Sequence, residues 1–167
     1  MICMQEPTII KLESKSLIGQ SAGMSLQNDG TASLFKAFMP RVKEVDNKLD
    51  GSIFEVIIYD ANLSFENFGI DTTFTKWVAV EVEETGKVYE GLNSYTLEGG
   101  LYAKFDHIGD VNKFMETMQY IHSVWLPNSI YYLDNIEHFQ VLGAKYLGPT
   151  NPLSEEEIWI PVKEKKS

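Results

Sequence analysis

The stretch "LEGGLYAKFDHIGDVNKFMETMQYIHSVWLPNS" (97–129) contains one complete transition from a strand to a helix. Its first part alternates apolar and polar side chains between a Gly pair and Gly109, which predicts a strand. Asp110 then stands where a helix N-cap is expected, and Pro127 ends the helical pattern. The apolar positions between them recur at helical spacing: Val111, Phe114, Met118, Ile121 and Trp125. The stretch therefore predicts a strand followed by an amphipathic helix.

The same order of elements is predicted twice along the chain. After the helix, "HFQVLGAKY" (138–146) and "EEIWIPV" (156–162) predict two strands. In the first half, a strand over 8–26 precedes a helix over 31–49, which Pro40 kinks or splits, and strands over 52–60 and 75–83 follow.

We expect one α+β domain over 1–167, with strand-helix-strand-strand pseudo-repeats at about 8–83 and 96–162. The duplication is inferred from element order, because the two halves share no strong residue-level similarity. Two such halves can join into one curved antiparallel sheet with helices on its convex side. The central cleft between the halves is then the expected pocket.

The composition limits the classes of function. The chain has 167 residues, 44% of them hydrophobic, and a formal net charge of −10. A surface that binds duplex nucleic acid needs clustered Lys and Arg, so no direct contact with nucleic acid is expected. Cys3 is the single cysteine and cannot form an intramolecular disulfide. Neither a signal peptide nor a membrane span is predicted, and we expect a cytoplasmic protein without membrane contact.

The sequence lacks the motifs of several common enzyme classes. It contains no Gly-rich phosphate loop before a helix, no nucleophile elbow and no Cys-x-x-Cys pair. His107, His122 and His138 lack the spacing of metal ligands, and structural or surface roles are more typical for such isolated histidines. The sequence therefore predicts neither a metal site nor a cofactor.

Alternation along each strand separates a helix-facing set of residues from a second set. Val78, Val80 and Val82 are assigned to the helix side of their strand. By the same rule, the helix side takes Leu101, Ala103, Phe105, Ile158, Ile160, Phe139, Val141, Phe54, Val56 and Ile58. The opposite face is then left with Trp77, Glu81, Tyr102, Trp159, Gln140, Leu142, Glu55 and Tyr59. Rings beside a few polar groups suit a flat or cationic ligand, whereas the alternative is a second core layer or a dimer interface.

Several segments of the sequence resemble the GyrI-like small-molecule-binding family. They are "LFKAFMPR", "FTKWVAVEV", "GLYAKFDHIGD", "WLPNS", "HFQVLGAKY" and "SEEEIWIPVK", and together they span nearly the whole chain. That family includes the effector-binding domains of AraC-type and multidrug-sensing bacterial transcription regulators. The resemblance implies a pseudo-twofold duplicated fold, similar to SOUL or haem-binding proteins, with a central hydrophobic cleft.

The resemblance also implies which residues line the cleft. The family commonly uses aromatic residues and a buried Glu that pairs with cationic, planar compounds. Its strand motif usually reads Phe-Glu where this chain has Phe139-Gln140, so Gln140 occupies the position of the acid. Some relatives resemble hydrolases that open cyclopropane rings, and the acid is implicated there too. Gln keeps an acceptor oxygen but has no charge, and Glu81 or Glu55 can compensate if either faces the cleft.

Three hypotheses for the function follow. The first is stand-alone binding of a small, planar, largely hydrophobic organic molecule, either aromatic or cationic, for drug or toxin sensing or sequestration. Its ligand-binding residues are Trp77, Glu81, Tyr102, Gln140, Leu142, Trp159 and Tyr59. The second is hydrolysis of a strained electrophile, with Glu81 or Glu55 activating water and Tyr102 as the acid. The third is a protein-interaction module of the gyrase-inhibitor type, with a protein partner or a homodimer.

Overall fold

The structure is a computed structural model that describes residues 5–63, 67–83, 87 and 89–166. Its strands are β1 Thr8–Leu12, β2 Lys15–Met24, β3 Lys48–Tyr59, β4 Phe74–Val82, β5 Asn93–Leu97, β6 Gly100–Ile108, β7 Tyr131–Leu133, β8 His138–Leu142 and β9 Glu155–Glu164. Its helices are α1 Thr31–Phe38, α2 Val111–Tyr120 and α3 Leu126–Asn128. A 3-10 helix spans Met39–Glu44, and a π-helical turn spans Ile121–Trp125. The predicted α+β class is confirmed, whereas a twofold relation between the halves stays a prediction.

The described strands form one antiparallel sheet in the order β1-β6-β9-β8-β3-β4-β2-β5, with β7 also paired to β9. The two halves of the chain meet at the centre, where β3 pairs with β8. In that pairing Glu55 lies opposite Gln140, and Phe54 lies opposite Val141. Residues that are paired in this way project from the same face of a sheet, so the register decides which side chains share a face.

Both main helices pack on one face of the sheet, which we call the helix side. Leu34 and Phe38 of α1 pack in one core cluster with Val78, Val80 and Val82 of β4, as the alternation of β4 predicts. Tyr120 of α2, with Ile121 and Trp125 of the π-helical turn, packs in a second cluster with β6 and β9. Asp110 is the N-cap of α2, as predicted: its side chain accepts a hydrogen bond of 3.0 Å from the Lys113 backbone amide.

The opposite, concave face of the sheet is filled by a third core cluster. Its buried members are Leu17, Phe54, Val56, Trp77, Ala79, Leu97, Tyr102, Phe139 and Trp159. The turn that joins β5 to β6 passes close to the end of β1, which pairs with β6. Gly99 makes this approach possible: a Cβ there would lie 2.3 Å from the Leu12 carbonyl oxygen, and its φ is +92°.

Several predicted boundaries differ from the structure. The predicted helix over 31–49 is wrong beyond Glu44, because β3 begins at Lys48 and places Leu49 in an exposed strand position. The predicted strand over 8–26 is two strands, and the strand from His138 ends at Leu142. Val111 lies at the exposed start of α2 instead of in its apolar stripe. Within the described residues, no helix has the length and apolar character needed to span a bilayer.

Candidate ligand-binding site

A cavity of about 560 Å³ lies on the helix side, over the central strands β3 and β8. It is within the usual size range of small-molecule sites, which is roughly 300–1,000 Å³. We call it the central cavity. Its lining comes from β3, β7, β8 and β9, from the α2–α3 region and from the connection between β3 and β4. The lining residues are Glu55, Ile57, Tyr59, Phe68, Met118, His122, Leu126, Leu133, His138, Phe139, Gln140, Ile158, Trp159 and Ile160.

Gln140 supplies a polar group on the floor of this cavity. It lies in the middle of β8 and is partly buried, with Ile158 as its neighbour on β9. The described residues provide no hydrogen-bond partner for its side-chain amide. An amide in this state offers both a carbonyl acceptor and N–H donors to a ligand. Two other residues that the sequence singled out, Glu55 and Tyr59, also line the cavity.

Two histidines, His122 and His138, line the cavity, although the sequence favoured a structural or surface role for both. His138 is buried, and its ring meets the ring of Tyr59 edge-on at 5.2 Å between centroids. Burial, with the proximity of His122, lowers the pKa of His138 to about 3. Burial also lowers the pKa of His122. Both rings are therefore neutral near pH 7. His138 precedes Gln140 by two residues on one strand, and this period-two spacing is the sequence signal that could have placed both on one face.

Glu55 makes a buried ion pair at the edge of the central cavity. Lys76 Nζ on β4 donates to Glu55 Oε1 at 2.8 Å, and the two side chains are only 11% and 13% exposed. Lys76 also donates to the Thr31 hydroxyl at 2.8 Å, at the first residue of α1. The Glu55 carboxylate lines the cavity, and its charge is thus neutralised by Lys76, which does not line the cavity.

The concave face holds the aromatic residues that the sequence assigned to the cleft. Trp77 and Trp159 are each 8% exposed, and Tyr102 is fully buried. The Tyr102 hydroxyl donates to the Glu137 carbonyl at 2.8 Å, and burial together with the Glu137 charge raises the pKa of Tyr102. These rings are covered by the chain's own side chains, so the second-core-layer interpretation describes this face, and no partner is needed to bury them.

A second cavity, of about 590 Å³, opens at one end of the concave face, and we call it the rim cavity. Trp159 and Phe139 form part of its wall, and Glu81 lies on its rim in an ion pair of 3.2 Å with Lys15. Glu156 also lines it, and burial, together with the charge of Glu55, raises the pKa of Glu156 to about 7.

The predicted site residues are therefore divided between two faces. Gln140, Glu55 and Tyr59 lie at the central cavity, whereas Trp77, Tyr102 and Glu81 lie on the concave side. Trp159 lines both cavities, and Leu142 packs with Ile53 in the cluster under α1. The prediction that these residues share one face is wrong, because the faces of β3 and β8 were assigned the wrong way round. Which of them contact a ligand stays a prediction.

Phe68, Met118 and Leu126 are lining residues that sequence reasoning missed. They come from a connection and from the α2–α3 region, where no strand alternation points to the cavity. Among the described residues, no group of three His, Cys, Asp or Glu side chains is placed to hold a metal ion.

Comparisons with known proteins place this geometry in context. The chain is 25% identical over 156 residues to the transcriptional regulator BrlR of Pseudomonas aeruginosa, with 92% of this chain and 54% of BrlR aligned. The chain thus spans about half the length of that curated relative. The structure of SAV2435 bound to tetraphenylphosphonium is similar, with a TM-score of 0.66, 19% identity, and coverage of 95% of this chain and 94% of that one.

Two further solved structures share the fold at lower identity. One is EcmrR in a complex with DNA, with a TM-score of 0.66, 12% identity, and coverage of 95% of this chain and 57% of that one. The other is a hydrolase from Listeria innocua, with a TM-score of 0.57, 11% identity, and coverage of 95% and 92%. Because EcmrR is part of a DNA complex, this neighbour does not support the expectation that the chain makes no direct contact with nucleic acid. The model of the GyrI-like small molecule binding domain matches residues 5–163, and the chain belongs to that family.

Proposed function

We propose that the chain binds a small, planar, largely hydrophobic organic molecule in the central cavity. The observation that carries the proposal is the side-chain amide of Gln140, which has no hydrogen-bond partner among the described residues and lies in a cavity with mainly apolar walls. Gln140 is only partly buried, so water can reach the amide in the free chain, and a ligand that replaces this water gains orientation and about 1 kcal/mol from the hydrogen bond.

The shape of the ligand is inferred from the rings around the amide. Tyr59, Phe68 and His138 line the same cavity, and Tyr59 packs edge-on against both of the others. Fixed aromatic walls of this kind favour a flat molecule, which gains ring contacts without ordering flexible side chains. Of the residues assigned to ligand binding from the sequence, Gln140 and Tyr59 are the ones we place in direct contact with it.

The comparisons support the class of function. One neighbour of this fold is bound to an organic molecule, tetraphenylphosphonium, and the curated relative is a transcriptional regulator. We propose drug or toxin sensing or sequestration by this chain, with any regulatory output passing through a partner protein or a homodimer. The net charge of −10 opposes direct binding of this chain to a duplex.

Calorimetric titration with acridine, an uncharged planar probe, tests the proposal. Replacing Gln140 with Leu keeps the approximate size of the side chain and removes the amide. We expect affinity to fall about fivefold, since one hydrogen bond contributes about 1 kcal/mol. Gln119→Leu, the same substitution at an exposed position of α2, is the matched control and should change nothing. Equal affinity in all three proteins, or no binding to the native chain, would contradict the proposal.

A hydrolase is the second candidate, because one neighbour of this fold is a hydrolase and a carboxylate lines the cavity. Among the proposed catalytic residues, Glu55 alone lies at the central cavity, while Glu81 and Tyr102 lie on the concave side. Glu55 would activate water there, although one of its two carboxylate oxygens is held in the ion pair with Lys76. Analysis of a strained electrophilic probe after the titration separates the two functions, since a binder returns it intact.

A further inference from the structure

We infer that Lys76 sets the charge preference of the central cavity: by neutralising Glu55 it makes the cavity select uncharged planar molecules over organic cations. The inference rests on the proposed function, because it specifies the class of ligand for the same cavity. It assigns a specificity role to a residue that does not itself line the cavity.

The first step is the position of the carboxylate. Glu55 of β3 and Gln140 of β8 are register partners on adjacent strands, and both line the cavity. Lys76 bonds Glu55 Oε1, and the described residues give the second oxygen, Oε2, no hydrogen-bond donor. The floor of the cavity therefore offers an acceptor oxygen next to an amide, which suits a ligand with an N–H or O–H donor beside a second polar atom.

The second step is how firmly Lys76 is held. Its ammonium group bonds the Thr31 hydroxyl in addition to Glu55, each at 2.8 Å. The Thr31 hydroxyl in turn donates to Asp29 Oδ1 at 2.6 Å. Lys76 is thus anchored to the start of α1 and is 9% exposed. A cationic ligand could not displace it from Glu55 without breaking this arrangement.

The third step is the electrostatic consequence. An organic cation loses its hydration in the cavity, and an uncompensated negative charge offsets more of that loss than the aromatic rings can. The attraction of Glu55 for the cation is opposed by the repulsion of Lys76 close behind it. Glu156 also interacts electrostatically with Glu55, but it lines the rim cavity instead of the central one. An uncharged ligand meets no such opposition, so the ion pair favours neutral molecules.

The experiment compares acridine with N-methylacridinium, which have nearly the same shape, at a pH where acridine is uncharged. The native chain should prefer acridine. Lys76→Met leaves Glu55 uncompensated, and its affinity for N-methylacridinium should rise about tenfold or more. The double variant Lys76→Met with Glu55→Gln removes both charges and should lose that gain. Lys15→Met, which removes a cation paired with Glu81 at the rim cavity, is the matched control for net charge and should show no gain.

The converse variant keeps the test decisive if Lys76→Met does not fold. Glu55→Gln leaves Lys76 as the uncompensated charge, and affinity for acridine-9-carboxylate should then rise about tenfold. A folded variant of either kind with an unchanged charge preference would overturn the inference, as would an equal gain in Lys15→Met. If the native chain binds neither acridine nor its cation, the proposed function itself fails, which is a different result.

Discussion

The two faces of the central sheet use the same strands in opposite ways. The concave face is filled, with Phe139 stacked on Trp159 at 5.1 Å and on Phe54 at 5.8 Å between ring centroids. One residue further along β8, on the helix side, Gln140 faces a cavity of about 560 Å³. The aromatic residues thus provide the stability of the fold, and the less apolar face between the helices provides the space for a ligand.

This difference follows from how each face is covered. On the concave face, buried side chains from β2, β3, β4, β5, β6, β8 and β9 pack into one cluster, as closely as expected of a protein core. The helix side is covered by two separate packing clusters, one under α1 and one under α2. Between those clusters, β3 and β8 line the central cavity instead of packing fully against a helix. Polar residues such as Glu55 and His138 are tolerated there because the packing is incomplete.

The largest expected effect tests the structural role of the concave face. Tyr102→Ala removes a fully buried ring that packs against Phe139 and Trp159. We expect a loss of about 3–5 kcal/mol in the free energy of unfolding, measured with urea. Tyr102→Phe keeps the ring and removes only the hydrogen bond to Glu137, so about 1 kcal/mol should be lost.

The Tyr102→Phe variant also tests the division of roles between the faces. It should bind acridine with native affinity, because Tyr102 is not among the residues around the central cavity. If this variant stays folded but loses binding, the ligand lies on the concave face, and the roles of the two faces are reversed.

A smaller effect is expected from the two ion pairs, one on each face. Glu55→Gln leaves Lys76 buried without its counter-charge, so we expect a loss of about 3 kcal/mol in the free energy of unfolding. Glu81→Gln breaks the more exposed pair with Lys15 at the rim cavity, and about 1 kcal/mol or less should be lost. Urea unfolding of both variants gives the comparison directly. Equal losses would show that burial does not distinguish the two pairs, and would weaken the electrostatic argument for the central cavity.

The sequence predicted the outline of the fold and most strand faces. Asp110 as a helix cap and the three valines of β4 under α1 were predicted correctly, because a cap and an amphipathic strand each leave a local pattern. Tyr102 and Trp159 were correctly assigned to the face away from the helices. Three-residue β7 was missed, since so short a strand carries no periodic signal.

The faces of β3 and β8, the two central strands, were assigned the wrong way round. The rule that apolar residues face the helices placed Phe54 and Phe139 on the helix side, yet both lie in the concave core. The rule fails here because the helix side is hollow over these strands, and the larger rings fill the closed interior instead. The pairing register corrects the assignment. It places Gln140 next to Glu55 on the helix side, on the face opposite to the tryptophans. Lys76, whose partner lies on another strand, could be recognised only from the structure.

The smallest expected effect concerns how far the charge of Glu55 extends beyond the central cavity. Glu156 has its pKa raised from 4.5 to about 7, by burial and by the charge of Glu55. A raised folded-state pKa means that the folded chain holds a proton that the unfolded chain releases. Stability is therefore unaffected below about pH 4.5, falls as the pH rises through the interval, and is lowest above about pH 7. Because Glu156 is partly exposed, we expect a total change of about 1 kcal/mol.

Glu156→Gln cannot titrate, so its stability relative to the native chain should rise across the same pH interval. Glu83→Gln, at an exposed position after β4, is the control and should follow the native profile. In the Glu55→Gln background the effect of Glu156→Gln should shrink, because the negative charge that opposes ionisation of Glu156 is gone. A pH profile that is independent of Glu55 would mean that burial alone sets the Glu156 pKa. Lys76 would then cancel the charge of Glu55 even at the distance of Glu156, and the central cavity would be electrically neutral to a ligand.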